Sequence, residues 1–85
     1  MMANEDVVLS LAHDDALVLF DLLQRWINDE GGENLRTHVQ DDAELWALNT
    51  VSCALEPIMA PLDQNYPNAV LEARSRISER AGQWP

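Results

Sequence analysis

Apolar residues along this 85-residue chain change their spacing several times, and each change marks an element. Residues 7–11, VVLSL, are β-branched and apolar, which predicts one short N-terminal strand or an extended lead-in. From Ala12 the period becomes helical. Asp14 and Asp15 place negative charge in a first turn, where the helix dipole favours it. Asp14, Asp21, Arg25 and Asn28 share a narrow polar stripe. Val18, Leu19, Phe20, Leu22, Leu23, Trp26 and Ile27 fill an apolar arc of roughly 200°, about twice what an ordinary surface helix needs. A helix over 13–29 is therefore expected at the centre of the fold or packed on two sides. Gly31-Gly32 is its stop signal.

The segment 33–40 reads equally as loop, short strand or helical turn. Asp41 then resembles an N-cap, and Glu44 three residues on completes an acidic form of the capping box. The second helix is expected over 42–55, ended by Pro57. Leu45, Leu48, Val51, Ser52 and Leu55 form its expected core face, leaving Trp46 and Cys53 on the opposite side. Pro57, Pro61 and Pro67 bracket a connector at 57–65. In the third helix, 66–81, Tyr66, Val70, Ala73, Ile77 and Ala81 recur at +4, +7, +11 and +15. Pro67 sits in its first turn, Gly82 just past its end, and Glu72 and Arg76 are spaced to pair. The expected fold is all-α: a compact three-helix bundle forming one domain over 1–85.

Charge alters this picture more than composition does. The chain has 15 acids against five cations, a net charge of −10, and every cation is arginine. Residues 1–63 hold 13 acids and two arginines, whereas 64–85 hold two acids and three arginines. This balance argues against direct binding to nucleic acid or an anionic membrane, since phosphates require cations. Apolar residues make up 47% of the chain, enough to argue against disorder. A single cysteine, Cys53, forms no intramolecular disulfide, and no apolar run reaches membrane-span length. With no cationic leader before an apolar run, the expected compartment is the cytoplasm.

Candidate chemistry is sparse. The acidic pairs are adjacent in sequence and sit at polar helix starts, unlike two carboxyls held apart in a cleft. Residues 29–34, DEGGEN, lack the alternating ligands of a calcium loop, and His13, His38 and Cys53 fit no zinc spacing. No nucleophile elbow surrounds Ser10, Ser52 or Cys53. No catalysis, cofactor or metal is expected. Self-repulsion at −10 costs a small fold stability, so the acidic excess is better explained as a surface that meets a basic partner. The candidate partner-binding residues are Asp29, Glu30, Glu33, Asp41, Asp42 and Glu44, with Trp46 as an aromatic anchor.

The stretches DDALVLFDLLQRW at 14–26, AELWALNTVSCALEP at 43–57 and YPNAVLEARSRI at 66–77 together resemble the small acidic helical immunity proteins of bacterial contact-dependent inhibition and related polymorphic toxin systems. The resemblance covers about half the chain and lies in apolar helix positions and helix-start acids. Ala12 departs from it, standing where a Ser- or Thr-type cap belongs. It implies an immunity protein that binds and neutralises a cognate, basic, nuclease-type toxin domain. It assigns no binding residue, because such surfaces differ with each toxin. The alternative is a helical regulatory module that self-associates as a homodimer through the wide apolar arc of the first helix.

Overall fold

The computed structural model describes residues 6–29, 31–59 and 65–84. The fold is all-α, a three-helix arrangement of α1 (His13–Leu23), α2 (Asp42–Met59) and α3 (Tyr66–Ala81). Of the two readings of residues 7–11, the strand does not form. Residues 6–12 carry no regular structure, and Val7, Val8 and Leu9 are 89%, 90% and 69% exposed. A lone strand has nothing to satisfy its N–H and C=O groups, and the described residues contain no second strand to pair with it.

Helix α1 occupies the centre, with α2 and α3 packed on it from two sides while scarcely meeting each other. Its cap residue, Ala12, offers no side-chain acceptor; the Ala16 N–H donates to the Ala12 carbonyl at 3.0 Å to start the winding. Ala16, Leu17 and Phe20 of α1 meet Leu55 and Met59 of α2 and Val70 and Ala73 of α3 in one buried cluster. Phe20 and Tyr66 stack edge to face, with ring centroids 6.5 Å apart. The wide arc on α1 thus packs on two sides, with Phe20 and Leu23 buried and the rest half-buried, while Asp14 and Asp21 of the polar stripe face α3 and Arg25 and Asn28 stay exposed.

Beyond Leu23 the helix widens into a π-helical segment, Gln24–Asp29. Gln24 Nε2 donates there to Oγ of Ser52, a hydroxyl buried within α2, at 3.3 Å. Gly31 and Gly32, at φ 61° and 76°, turn the chain, and the Gly32 N–H closes the turn on the Trp26 carbonyl at 2.8 Å. The ambiguous segment that follows contains a short 3₁₀ turn, Leu35–Thr37, which buries Leu35.

Helix α2 departs from expectation at both ends. Glu44 reaches back to the backbone N–H of Gln40 at 2.7 Å, so the reciprocal half of the box is shifted one residue from Asp41. At the other end α2 runs through Pro57 to Met59. Pro57 has no N–H to give the Cys53 carbonyl, a cost offset by burying Met59, which is only 2% exposed. Val51, expected in the core, is instead turned outward and 39% exposed. The inward residues of α2 are Ser52, Leu55 and Met59, with Leu45 and Leu48 half-buried. Helix α3 has Pro67 in its first turn and ends at Gly82, whose φ is 78° and whose N–H donates to Ser78 O.

Candidate functional site

Every arginine in the chain is engaged with an acid of the same chain. Arg74 Nη2 meets Asp21 Oδ2 at 3.0 Å, and Arg25 approaches the same oxygen at 3.5 Å. Arg76 forms a two-pronged contact with Asp14, both bonds 2.8 Å, and Arg80 meets Asp15 at 3.0 Å. Arg76 is therefore aimed across at α1 and bonded to Asp14, not to Glu72 on its own helix. The seam is closed by Tyr66, whose hydroxyl donates to Asp21 Oδ1 at 3.1 Å. The Arg76 hydrogen bonds and charge hold the Asp14 carboxyl below its ordinary range, and Asp14 in turn raises Arg76. Partial burial, followed by the Asp21 charge and hydrogen bond, pushes the Tyr66 hydroxyl up to about 12.

The fifth arginine, Arg36, reaches Asp42 at 3.4 Å across the turn before α2. Around that end of the molecule lie most of the sequence-predicted site residues. Asp29 closes the π-helical segment, Glu33 follows the glycines, and Asp41, Asp42 and Glu44 open α2; all five are exposed. Glu30 lies outside the described residues. Trp46, one turn into α2, is 69% exposed. Neither α1 nor the turn covers it.

A shallow groove of about 320 Å³ runs between the end of the first helical stretch and the start of α2, lined among others by Ile27, Gly32, Arg36, Asp42, Leu45 and Trp46. It brings Asp42 and Trp46 together, whereas Asp29, Glu33, Asp41 and Glu44 stand outside its lining. The groove is mainly apolar, with the Arg36–Asp42 ion pair along one wall, and suits an inserted side chain more than chemistry. His13, His38 and Cys53 are exposed on three different segments. Among the described residues no group of three His, Cys, Asp or Glu side chains is placed to hold a metal ion. Nor is any helix among them long and apolar enough to cross a membrane.

The sequence reading missed the groove's Ile27, Gly32 and Leu45; Leu45 adjoins Trp46 on α2, and the π-helical segment and the glycine turn supply Ile27 and Gly32. It placed Trp46 and Cys53 on the outer side of α2 but not the remaining apolar residues there. Ala47, Val51, Ala54 and Ile58 recur at +4, +7 and +11, a signal legible only once the helix is allowed to pass Pro57. No protein-family model matches the chain, and no curated protein or solved structure matches it significantly.

Proposed function

We propose that this protein acts by binding: it sequesters a basic protein domain in the cytoplasm, in the manner of the immunity proteins it resembles, and has no catalysis of its own. The observation that carries this reading is the complete internal use of its arginines. Four of the five are spent against α1, so the acids at the α1–α2 end present acceptor oxygens with Arg36 as their one neighbouring cation in an ion pair. A toxin domain that binds nucleic acid carries the complementary pattern, a surface built to neutralise phosphate. Asp29, Glu30, Glu33, Asp41, Asp42 and Glu44 would compete for that surface, with Trp46, beside Asp42 in the groove, as the apolar anchor. The −10 charge then raises the rate of encounter as well as selecting the partner.

The test is co-expression with the product of the gene immediately upstream. The expected result is a stoichiometric complex that abolishes that product's toxicity and weakens as salt is raised. Neutralising the cluster (Asp41→Asn, Asp42→Asn and Glu44→Gln together) should weaken the complex at least tenfold, chiefly through slower association. A complex indifferent to both salt and neutralisation, or none at all, would refute the reading.

A further inference from the structure

Helix α2 has two apolar sides, and the fold uses one. Of its 18 residues only Asp42, Glu44 and Glu56 are charged, and none lies between Leu45 and Leu55. Opposite the buried Ser52, Leu55 and Met59, the outward arc carries Trp46, Ala47, Thr50, Val51, Ala54 and Ile58, all exposed. Trp46 and Ile58 show 69% and 62% of their surface. Thr50, the polar member of that arc, donates its hydroxyl to the Trp46 carbonyl at 3.0 Å and so turns its polarity onto the backbone. An 18-residue helix is about 27 Å long, so this face amounts to a few hundred Å², comparable to the largest apolar patch on an ordinary monomer. Ala47 and Ala54 leave room for a second helix to approach closely between the bulkier Trp46 and Ile58.

Charge decides what lies there. Asp42 and Glu44 flank the N-terminal end of the arc, and Glu56 lies at the C-terminal end of α2. A second copy docked parallel would bring the N-terminal acids onto themselves; docked antiparallel, it would offer them no cation, since α2 carries none. The arginines that could relieve either arrangement lie on other segments and are already paired. The fitting occupant is apolar along its middle and cationic at its margins.

We propose that the outward face of α2 is the docking surface for an amphipathic helix with lysine- or arginine-rich margins, the element by which a basic protein partner seats on this chain. The proposal rests on the basic-partner reading above and specifies where that partner makes contact. The groove at Trp46 lies at one end of the face, so a helix laid along α2 places a side chain in it.

Two synthetic 18-residue peptides test it against the isotopically labelled full chain: a leucine–lysine amphipathic helix, and a lysine–serine peptide of equal charge with no apolar side. The leucine–lysine peptide should bind at least tenfold tighter and shift the amide resonances of Ala47, Val51, Ala54 and Ile58. Ala54→Arg, and separately Ile58→Gln, should each remove most of that advantage while the circular dichroism spectrum stays unchanged. Equal binding of the two peptides, with shifts confined to residues 29–44, would overturn the α2 assignment and leave the basic-partner reading standing. No binding by either would overturn that reading and the assignment with it. A free chain that is dimeric, and becomes monomeric on Ala54→Arg, would overturn the chosen occupant in favour of a second copy.

Discussion

Helices α2 and α3 flank the same central helix but are fastened to it by different means. Helix α3 spends its three arginines on Asp14, Asp15 and Asp21, with Val70 and Ala73 buried beneath them. Five of its 16 residues are charged, and it keeps one large apolar residue in the open, Leu71. Helix α2 is held by Leu55, Met59 and the Gln24–Ser52 hydrogen bond, and it leaves Trp46, Val51 and Ile58 outside. Exposed ion pairs contribute little to stability, so the α3 seam is better understood as setting register and consuming positive charge. One flank pairs its cations with acids of α1; the other leaves an apolar side exposed, which the proposed function uses as a contact. A binding protein for a basic partner needs both.

The comparison can be broken most forcefully at the residue both flanks share. Leu17 is 1% exposed within the cluster that α2 and α3 both enter, so Leu17→Ala should cost about 3 kcal/mol of unfolding free energy in urea. The loss should appear in one cooperative transition; separate transitions for α2 and α3 would mean the two flanks fold independently. Gly31→Ala should cost about 1 kcal/mol, read as a lowered Tm. Space is not the cause, since nothing lies within 4 Å of an added Cβ; the cause is the φ of 61°.

Smaller effects separate the two seams by pH. The Tyr66 hydroxyl ionises near 10 when unfolded and at about 12 when folded, so its contribution is complete below pH 10 and lost as pH rises through 12. Tyr66→Phe should flatten that part of the alkaline stability curve. Asp14 works in the opposite sense. Its folded value lies below the ordinary 3.8, so its contribution is present above pH 3.8 and is lost as pH falls through the folded value. Asp14→Asn should therefore cost slightly at pH 7 and progressively less as pH falls below 3.8 through the folded value, by thermal denaturation, the smallest of these changes.

The helical thirds of the fold could be read from the chain because capping acids, glycine stops and the 3.6-residue period are local signals. The central position of the first helix followed from the width of its apolar arc. What could not be read was set by partners distant in sequence. The charge asymmetry already points to the arginines of 64–85 pairing with the acidic half, but not to Asp14 and Asp21 of the polar stripe as the acids that Arg76 and Arg74 meet. Pro57 looks like a stop until the burial of Met59 carries α2 past it. Val51 looks like core because it is apolar and lies one turn from Leu55, but it sits at the edge of the buried side and is 39% exposed. Of the candidate site, the acids and Trp46 were legible as an exposed patch. The groove and the apolar face beside them depend on how far α2 extends and on how the π-helical segment places Ile27.

Ile58 on α2 and Leu71 on α3 are 62% and 63% exposed, of similar size, and on opposite flanks. Measuring the affinity of Ile58→Gln and Leu71→Gln for the leucine–lysine helix isolates the outer face of α2 from surface hydrophobicity in general. The account predicts about a tenfold loss for Ile58→Gln and less than twofold for Leu71→Gln. Equal losses, or a larger loss at Leu71, would contradict it.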